Sequence, residues 1–184
     1  MAAAMERLGA IIAGGRGLRF AGADKGAALL HGKALIDHVA AALGPQTDDL
    51  VIIGREWPGL TSISDRPHAG EGPLGGLCAA LHYARARGFH SVLCAGCDTL
   101  PLPPDLAARL APGPAVVQGH WLLGLWPTAL AGRLDRWLAD QSDRSIRGWM
   151  RQSGARPVAI EHDFLNINTA EALAEAETKL RDQS

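Results

Sequence analysis

Residues 11–25 read Ile-Ile-Ala-Gly-Gly-Arg-Gly-Leu-Arg-Phe-Ala-Gly-Ala-Asp-Lys. Ahead of the glycines, Leu8 to Ala13 is an apolar run of strand length. After it, Gly14, Gly15, Gly17 and Gly22 stand beside Arg16, Arg19 and Lys25. Glycine lets backbone N–H groups approach an anion with no Cβ in between. Arginine and lysine bring the opposite charge. A buried strand running straight into such a loop points to a phosphate site at the carboxyl edge of a sheet. The spacing excludes two common versions of that site. A P-loop needs G-x-x-x-x-G-K-[ST], whereas Gly22 and Lys25 are three apart and Gly26 follows the lysine. The dinucleotide fingerprint needs a third glycine where Phe20 stands.

Outward from this loop, apolar runs alternate with helical patterns. Strands are expected at 7–13, 49–54, 61–65, 91–96, 114–119, 121–126 and 156–161, and helices at 34–43, 75–87, 104–110, 128–139, 145–152 and 169–181. Such alternation predicts an α/β fold, a Rossmann-like three-layer α/β/α domain around a mostly parallel sheet. The runs 114–119 and 121–126 are close enough for an antiparallel excursion. No Ser-, Gly- or Pro-rich linker divides the 184 residues, so they are read as one domain, 1–184. Its nucleotide-binding half covers about 7–113 and its substrate half about 114–184. A net charge of −1 speaks against bulk binding to nucleic acid or anionic membrane. Three cysteines are too few for a disulfide scaffold, and no apolar run reaches membrane-spanning length; a cytoplasmic protein is expected.

Loops 14–25, 65–74 and 97–103 all follow strands and are expected to converge. Asp98, at the end of the apolar run 91–96, is placed to hold Mg²⁺ through a hard carboxylate oxygen; a turn cap before Pro101 is the alternative. Gly70-Glu71-Gly72-Pro73-Leu74-Gly75-Gly76 is a turn opening a helix, whose N-terminal N–H groups suit an anion or a base edge. Asn166 and Asn168, two apart, face the same way on an extended segment. Arg144 and Arg147, three apart, share a face if helical, either toward a phosphate or toward solvent. Cys94-Ala95-Gly96-Cys97 is a C-x-x-C, but no second cysteine pair completes a zinc site and no helix opens at Cys94. The seven histidines show no paired H-x-x-H spacing and are given no role.

Taken together the motifs resemble the nucleotidyltransferase superfamily, and within it the molybdenum cofactor guanylyltransferases of the MobA type. That family opens L-A-G-G-x-x-x-R-M-G-x-D-K. This chain has Ile12-Ala13-Gly14-Gly15, Arg19-Phe20 and Gly22-Ala23-Asp24-Lys25. Gly32 to Ile36 matches G-K-x-L-I, Gly72 to Leu77 matches G-P-L-A-G-I, and Cys97 to Leu102 matches C-D-x-P-F-L. Gly124-Leu125-Trp126, Arg144 to Arg147 and Asn166 to Leu173 match G-L-W, R-S-V-R and N-I-N-T-P-E-x-L. Phe20 replaces a methionine, Leu100 intervenes before the proline, and Ala170 replaces a proline; no charged group is lost.

The resemblance implies a nucleotide-diphospho-sugar transferase-like fold. It implies transfer of GMP from GTP to the terminal phosphate of molybdenum-molybdopterin, with release of pyrophosphate. Catalytic roles would fall to Arg19, Lys25 and Asp98. Backbone of Ile12, Ala13, Gly14 and Gly15 would hold base and phosphates, with Gly54 and Asp65 at the nucleoside and Gly75 also among the binding residues. Asp98 would bind Mg²⁺, and Arg144, Arg147, Asn166 and Asn168 would face the pterin. Related cytidylyltransferases read L-A-A-G, so the pair Gly14-Gly15 favours GTP. The partners implied are GTP, molybdenum-molybdopterin and transient cofactor-delivery proteins, with no nucleic acid and no membrane. The rival readings are a cytidylyl or sugar-phosphate nucleotidyltransferase and a non-catalytic nucleotide or cofactor carrier.

Overall fold

The computed structural model describes residues 7–14, 19–20, 23–140 and 142–181. From the N-terminus come β1 (Arg7–Ile12), β2 (Arg19–Phe20), β3 (Ala23–Asp24), a 3-10 turn at Lys25–Ala27, β4 (Leu29–Leu30), β5 (Lys33–Ala34) and α1 (Leu35–Leu43). Next are β6 (Asp49–Ile53), β7 (Thr61–Ile63), α2 (Gly72–Ala86), β8 (Ser91–Gly96), β9 (Thr99–Leu100) and α3 (Leu106–Leu110). The chain continues through β10 (Ala115–Val117), β11 (His120–Pro127), α4 (Ala131–Asp140), α5 (Ile146–Ser153), β12 (Arg156–Val158), β13 (Leu165–Asn166) and α6 (Ala170–Arg181).

Seven strands form the central sheet in the order β12-β10-β11-β8-β1-β6-β7. β1 runs parallel to both β6 and β8, and β6 parallel to β7. β11 is antiparallel to β8 and β10, so the excursion foreseen at 114–126 lies inside the sheet, not at its edge.

Side chains of a strand alternate between its two faces, and β1 shows why its sequence reads as an unbroken apolar run. Leu8, Ala10 and Ile12 join a core beneath α2, α4 and α5, while Ile11 and Ala13 join a second core beneath α1, α3 and α6. A strand covered on both faces needs apolar residues at every position. α1 buries Leu35, Ile36, Val39 and Leu43, the spacing of one helical face. α2 packs against the sheet closely because Gly76 carries no Cβ; one would stand 2.9 Å from Ile12 Cγ2. Ser145 caps α5 by accepting from the Gly148 N–H at 3.0 Å, and Thr169 caps α6 by accepting from Ala172 N at 3.1 Å.

β1 is the point where the topology switches: the chain leaves it for β6 on one side and returns through α2 to β8 on the other. Loops leaving the carboxyl ends of β1, β6, β7 and β8 open into that crevice, where ligands bind in such sheets.

Candidate active site

At one end of the crevice, two glycines let the backbones after β1 and β6 touch. A Cβ on Gly54 would stand 2.4 Å from Gly14 Cα, and one on Gly14 would stand 2.9 Å from Gly54 Cα. Gly54 also has φ +85°, a left-handed conformation that favours glycine, and it is fixed there by its N–H donating to Ile63 O at 3.0 Å. Both glycines face Asp65: from either Cβ position its carboxylate is 3.7 Å away. Gly70 N donates to Asp65 Oδ2 at 3.3 Å, and Arg66 N donates to Gly75 O at 3.1 Å, tying this loop to the first turn of α2. At Gly75 a Cβ would meet Glu71 Cβ at 2.6 Å and Arg66 O at 3.1 Å. Burial, and secondarily the charge of Glu71, push the Asp65 carboxyl above its ordinary value, partly offset by the Gly70 N–H. The result is a close backbone contact at the carboxyl ends of β1 and β6, edged by one carboxylate and the first turn of α2.

The other end is built around Lys25, which is 4% exposed. Its ammonium donates to Asp98 Oδ2 at 2.8 Å and, very closely, to Asn168 Oδ1. Asp98 follows β8, and its backbone is clamped by Ile167 N donating to Asp98 O at 2.7 Å. Pairing of β9 with β13 sets Thr99 against Asn166, and Thr99 Oγ1 donates to Asn166 Oδ1 at 3.1 Å. Asn166 thus serves the Thr99 hydroxyl, and Asn168 the Lys25 ammonium that pairs with Asp98.

Asp24 holds the turn that carries Lys25: its Oδ1 accepts from Gly26 N at 3.0 Å and from Arg55 at 2.7 Å, and its Oδ2 takes the second arm of the same guanidinium. That pairing holds the Asp24 carboxyl below its usual range. Arg55 lies over the Trp57 ring at 5.2 Å.

Of the anticipated residues, Gly14, Gly54, Asp65 and Gly75 meet at one end of the crevice, and Lys25, Asp98, Asn166 and Asn168 at the other. Arg144 and Arg147 do not share a helical face. Arg144 precedes the α5 cap and lies 3.3 Å from Glu71 Oε2, whereas Arg147 lies over the Trp121 ring at 5.0 Å. Gly15 lies outside the described residues, as do Arg16, Gly17 and Gly22; for Arg19 only the backbone is described.

One detail of the loop expectation is corrected. Ile12 belongs to the β1 ladder and Ala13 N donates to Ile53 O at 3.0 Å, so the Ala13 N–H is spent on the sheet and offers nothing to a phosphate. The C-x-x-C is likewise inert: Cys94 and Cys97 are buried, and burial pushes their thiols up to about 12 and about 11.

Three neighbours of the site were not anticipated. Asp24 stands in the glycine-loop motif, where its type and spacing mark no role. Arg55 had only its place after Gly54 to signal it. His120 carried no signal, since it joins the site through β11. Its ring stacks on Phe164 at 4.5 Å beside Asn166, and burial holds the imidazole below its ordinary value against the pull of Asn166 and the Asp98 charge.

Comparison with known proteins gives the family and the fold. Residues 9–156 match the family model described as a MobA-like NTP transferase domain. A protein of Acidiphilium cryptum (strain JF-5) named molybdenum cofactor guanylyltransferase is 37% identical, covering 91% of this chain and 92% of its own. One of the same name from Cereibacter sphaeroides (strain ATCC 17029 / ATH 2.4.9) is 38% identical, covering 96% and 98%. Among solved structures, Rv0371c of Mycobacterium tuberculosis H37Rv superimposes with a TM-score of 0.72 over 96% of this chain and 100% of its own. At 15% identity that likeness speaks for the fold alone.

Proposed function

This chain belongs to the MobA-like NTP transferase family, and from that premise we propose that it transfers GMP from GTP to the terminal phosphate of molybdenum-molybdopterin, releasing pyrophosphate. The observation that carries the reading is the buried Lys25 ammonium held between Asp98 and Asn168 at the mouth of the topological switch. The nucleophile, a phosphate oxygen, is already anionic near neutral pH, so no protein base is needed. Catalysis is then positioning plus neutralisation of charge.

In this reading the guanine ring lies beside the Gly14–Gly54 contact, with its N1–H and 2-amino donors toward the two oxygens of Asp65. Cytosine has a single amino donor and would satisfy only part of that carboxylate, which favours GTP over CTP. Lys25, released from Asp98, turns to the β and γ phosphates and stabilises the departing pyrophosphate. Arg19 shares that task by its place in the family motif.

Asp98 is 32% exposed and stands with the amide oxygens of Asn166 and Asn168, a set of hard donors that fits Mg²⁺. These residues would hold Mg²⁺, which would supply a template and charge neutralisation for the phosphates. Asn166, Asn168, Arg144 and Arg147 address the pterin side, so that the halves 7–113 and 114–184 bind nucleotide and acceptor respectively. The proposal takes the protein as cytoplasmic and its acceptor as delivered by transient protein partners. Among the described residues no helix is long and apolar enough to cross a membrane.

The test is incubation with GTP, Mg²⁺ and molybdenum-molybdopterin, followed by mass analysis for the guanine dinucleotide, alongside a pyrophosphate-release assay over the four nucleoside triphosphates. Preference for CTP would reject the guanine assignment. Undiminished dinucleotide formation by Asp98→Ala would reject the metal role, and GTP binding with no dinucleotide formed by the wild-type protein would favour a carrier.

A further inference from the structure

On α2, Cys78 and His82 are four residues apart and so lie on one face; opposite them stands Asp135 of α4. None of the three has a part in the nucleotide reaction. Cys78 Sγ donates to Asp135 Oδ1 at 3.1 Å, and His82 Nε2 lies 2.5 Å from Asp135 Oδ2. That second contact is not aligned as a hydrogen bond, and Nε2 is left a buried polar atom without a hydrogen-bond partner. A buried donor or acceptor in that condition is costly unless something else satisfies it. One sulfur, one imidazole nitrogen and one carboxylate oxygen thus lie within 4.8 Å of one another. A positive charge already stands at the cluster: Arg66 Nη2 is 3.7 Å from Asp135 Oδ2, on a side chain that is 49% exposed.

We propose that Cys78, His82 and Asp135 form a zinc-class metal site, separate from the nucleotide crevice, that fastens α2 to α4. Sulfur and imidazole donors select a borderline-soft cation and disfavour Mg²⁺. With Zn–S near 2.3 Å and Zn–N and Zn–O near 2.0–2.2 Å, tetrahedral geometry sets neighbouring ligand atoms about 3.3–3.6 Å apart. The observed separations of 3.1 and 2.5 Å therefore have to widen by about an ångström or less. His82 and Asp135, with side chains 28% and 33% exposed, have the freedom to do so. Cys78 is fully buried, so the ion enters from the His82–Asp135 side as Arg66 swings out. On binding, the thiol proton leaves to solvent, a sulfur–metal bond forms, and water takes the fourth position.

The experiment uses the full chain, freed of metal by chelation and titrated with Co²⁺ as a spectroscopic substitute for zinc. One equivalent should bind with a thiolate-to-cobalt charge-transfer band and tetrahedral d–d bands, bleached by Zn²⁺ and unaffected by excess Mg²⁺. Cys78→Ser should abolish the charge-transfer band. His82→Gln and Asp135→Asn, both at partly exposed positions, should weaken binding by at least the roughly ten- to hundredfold lost when a mere supporting partner is removed. Asp98→Asn should leave the spectrum unchanged. Cobalt that binds without a thiolate band, an unchanged cobalt affinity in His82→Gln, or a band lost in Asp98→Asn would each overturn the site.

Discussion

Replacing Lys25 by methionine keeps the length and apolar stem of the side chain and deletes its ammonium. In the unliganded protein that group serves two acceptors, Asp98 and Asn168, from a position 4% exposed. A hydrogen bond to a charged partner contributes about 1.5–3 kcal/mol. Asp98 is 32% exposed, so water can replace part of what it loses; the net cost is set at about 1–2 kcal/mol. For a chain of this size each kcal/mol moves Tm by about 2–4 °C, giving a fall of about 2–8 °C by calorimetry.

Catalysis should suffer more than stability. An ammonium that meets charge developing on the leaving pyrophosphate has no substitute in the variant. Loss of one such preorganised donor lowers kcat by about 10²–10³. GTP affinity, measured by equilibrium titration, should change far less, because the proposed base site beside Gly14, Gly54 and Asp65 is untouched. A Lys25→Met enzyme within a few-fold of wild-type kcat refutes the leaving-group role. An unchanged Tm refutes the reading of Lys25, Asp98 and Asn168 as a stabilising clamp.

Asp65→Asn should raise stability at neutral pH while impairing guanine binding. Burial raises the folded-state pKa of Asp65, so the native protein binds more protons than the unfolded chain and stability falls as pH rises through that window. The variant's advantage in Tm should be present above the raised pKa and vanish below the unfolded value near ~4; a variant less stable than wild type at pH 7 contradicts this. Gly54→Ala sets a Cβ 2.4 Å from Gly14 Cα at a φ of +85°. It should cost about 2–4 kcal/mol in thermal melts and weaken GTP binding, and a neutral effect would disprove the close backbone approach. Asp24→Asn breaks an ion pair whose side chains are 21% and 41% exposed, so its cost should stay below about 1 kcal/mol and grow smaller in high salt. Because Arg55 depresses the Asp24 pKa, that contribution exists above the unfolded value and disappears as pH falls through the lowered one.

The local physics of single segments was legible along the chain. Period and composition located β1, β8, α1 and α6 to within a residue or two, because a strand covered on both faces needs a continuous apolar run and a helix covered on one needs its stripe. Loop 14–25, Asp98 and the two asparagines could be recognised for the same reason: each is a short motif whose chemistry lies in neighbouring residues. The pairs β2–β3, β4–β5 and β9–β13, two residues per strand, escaped detection because so few positions carry no period. Arg144 and Arg147 parted because Ser145 caps α5 between them, a boundary that spacing alone does not mark.

The sequence by itself determined an α/β sheet, a cationic glycine loop at its carboxyl edge and a carboxylate after β8. Those follow from interactions within a few residues. Tertiary structure decided which distant groups meet: Lys25 with Asp98 and Asn168, Asp24 with Arg55, His120 beside Asn166, and Cys78 and His82 with Asp135. Strand order and helix packing set those pairings. Distances between residues far apart in the chain are fixed by how the layers close on one core, which no local pattern encodes.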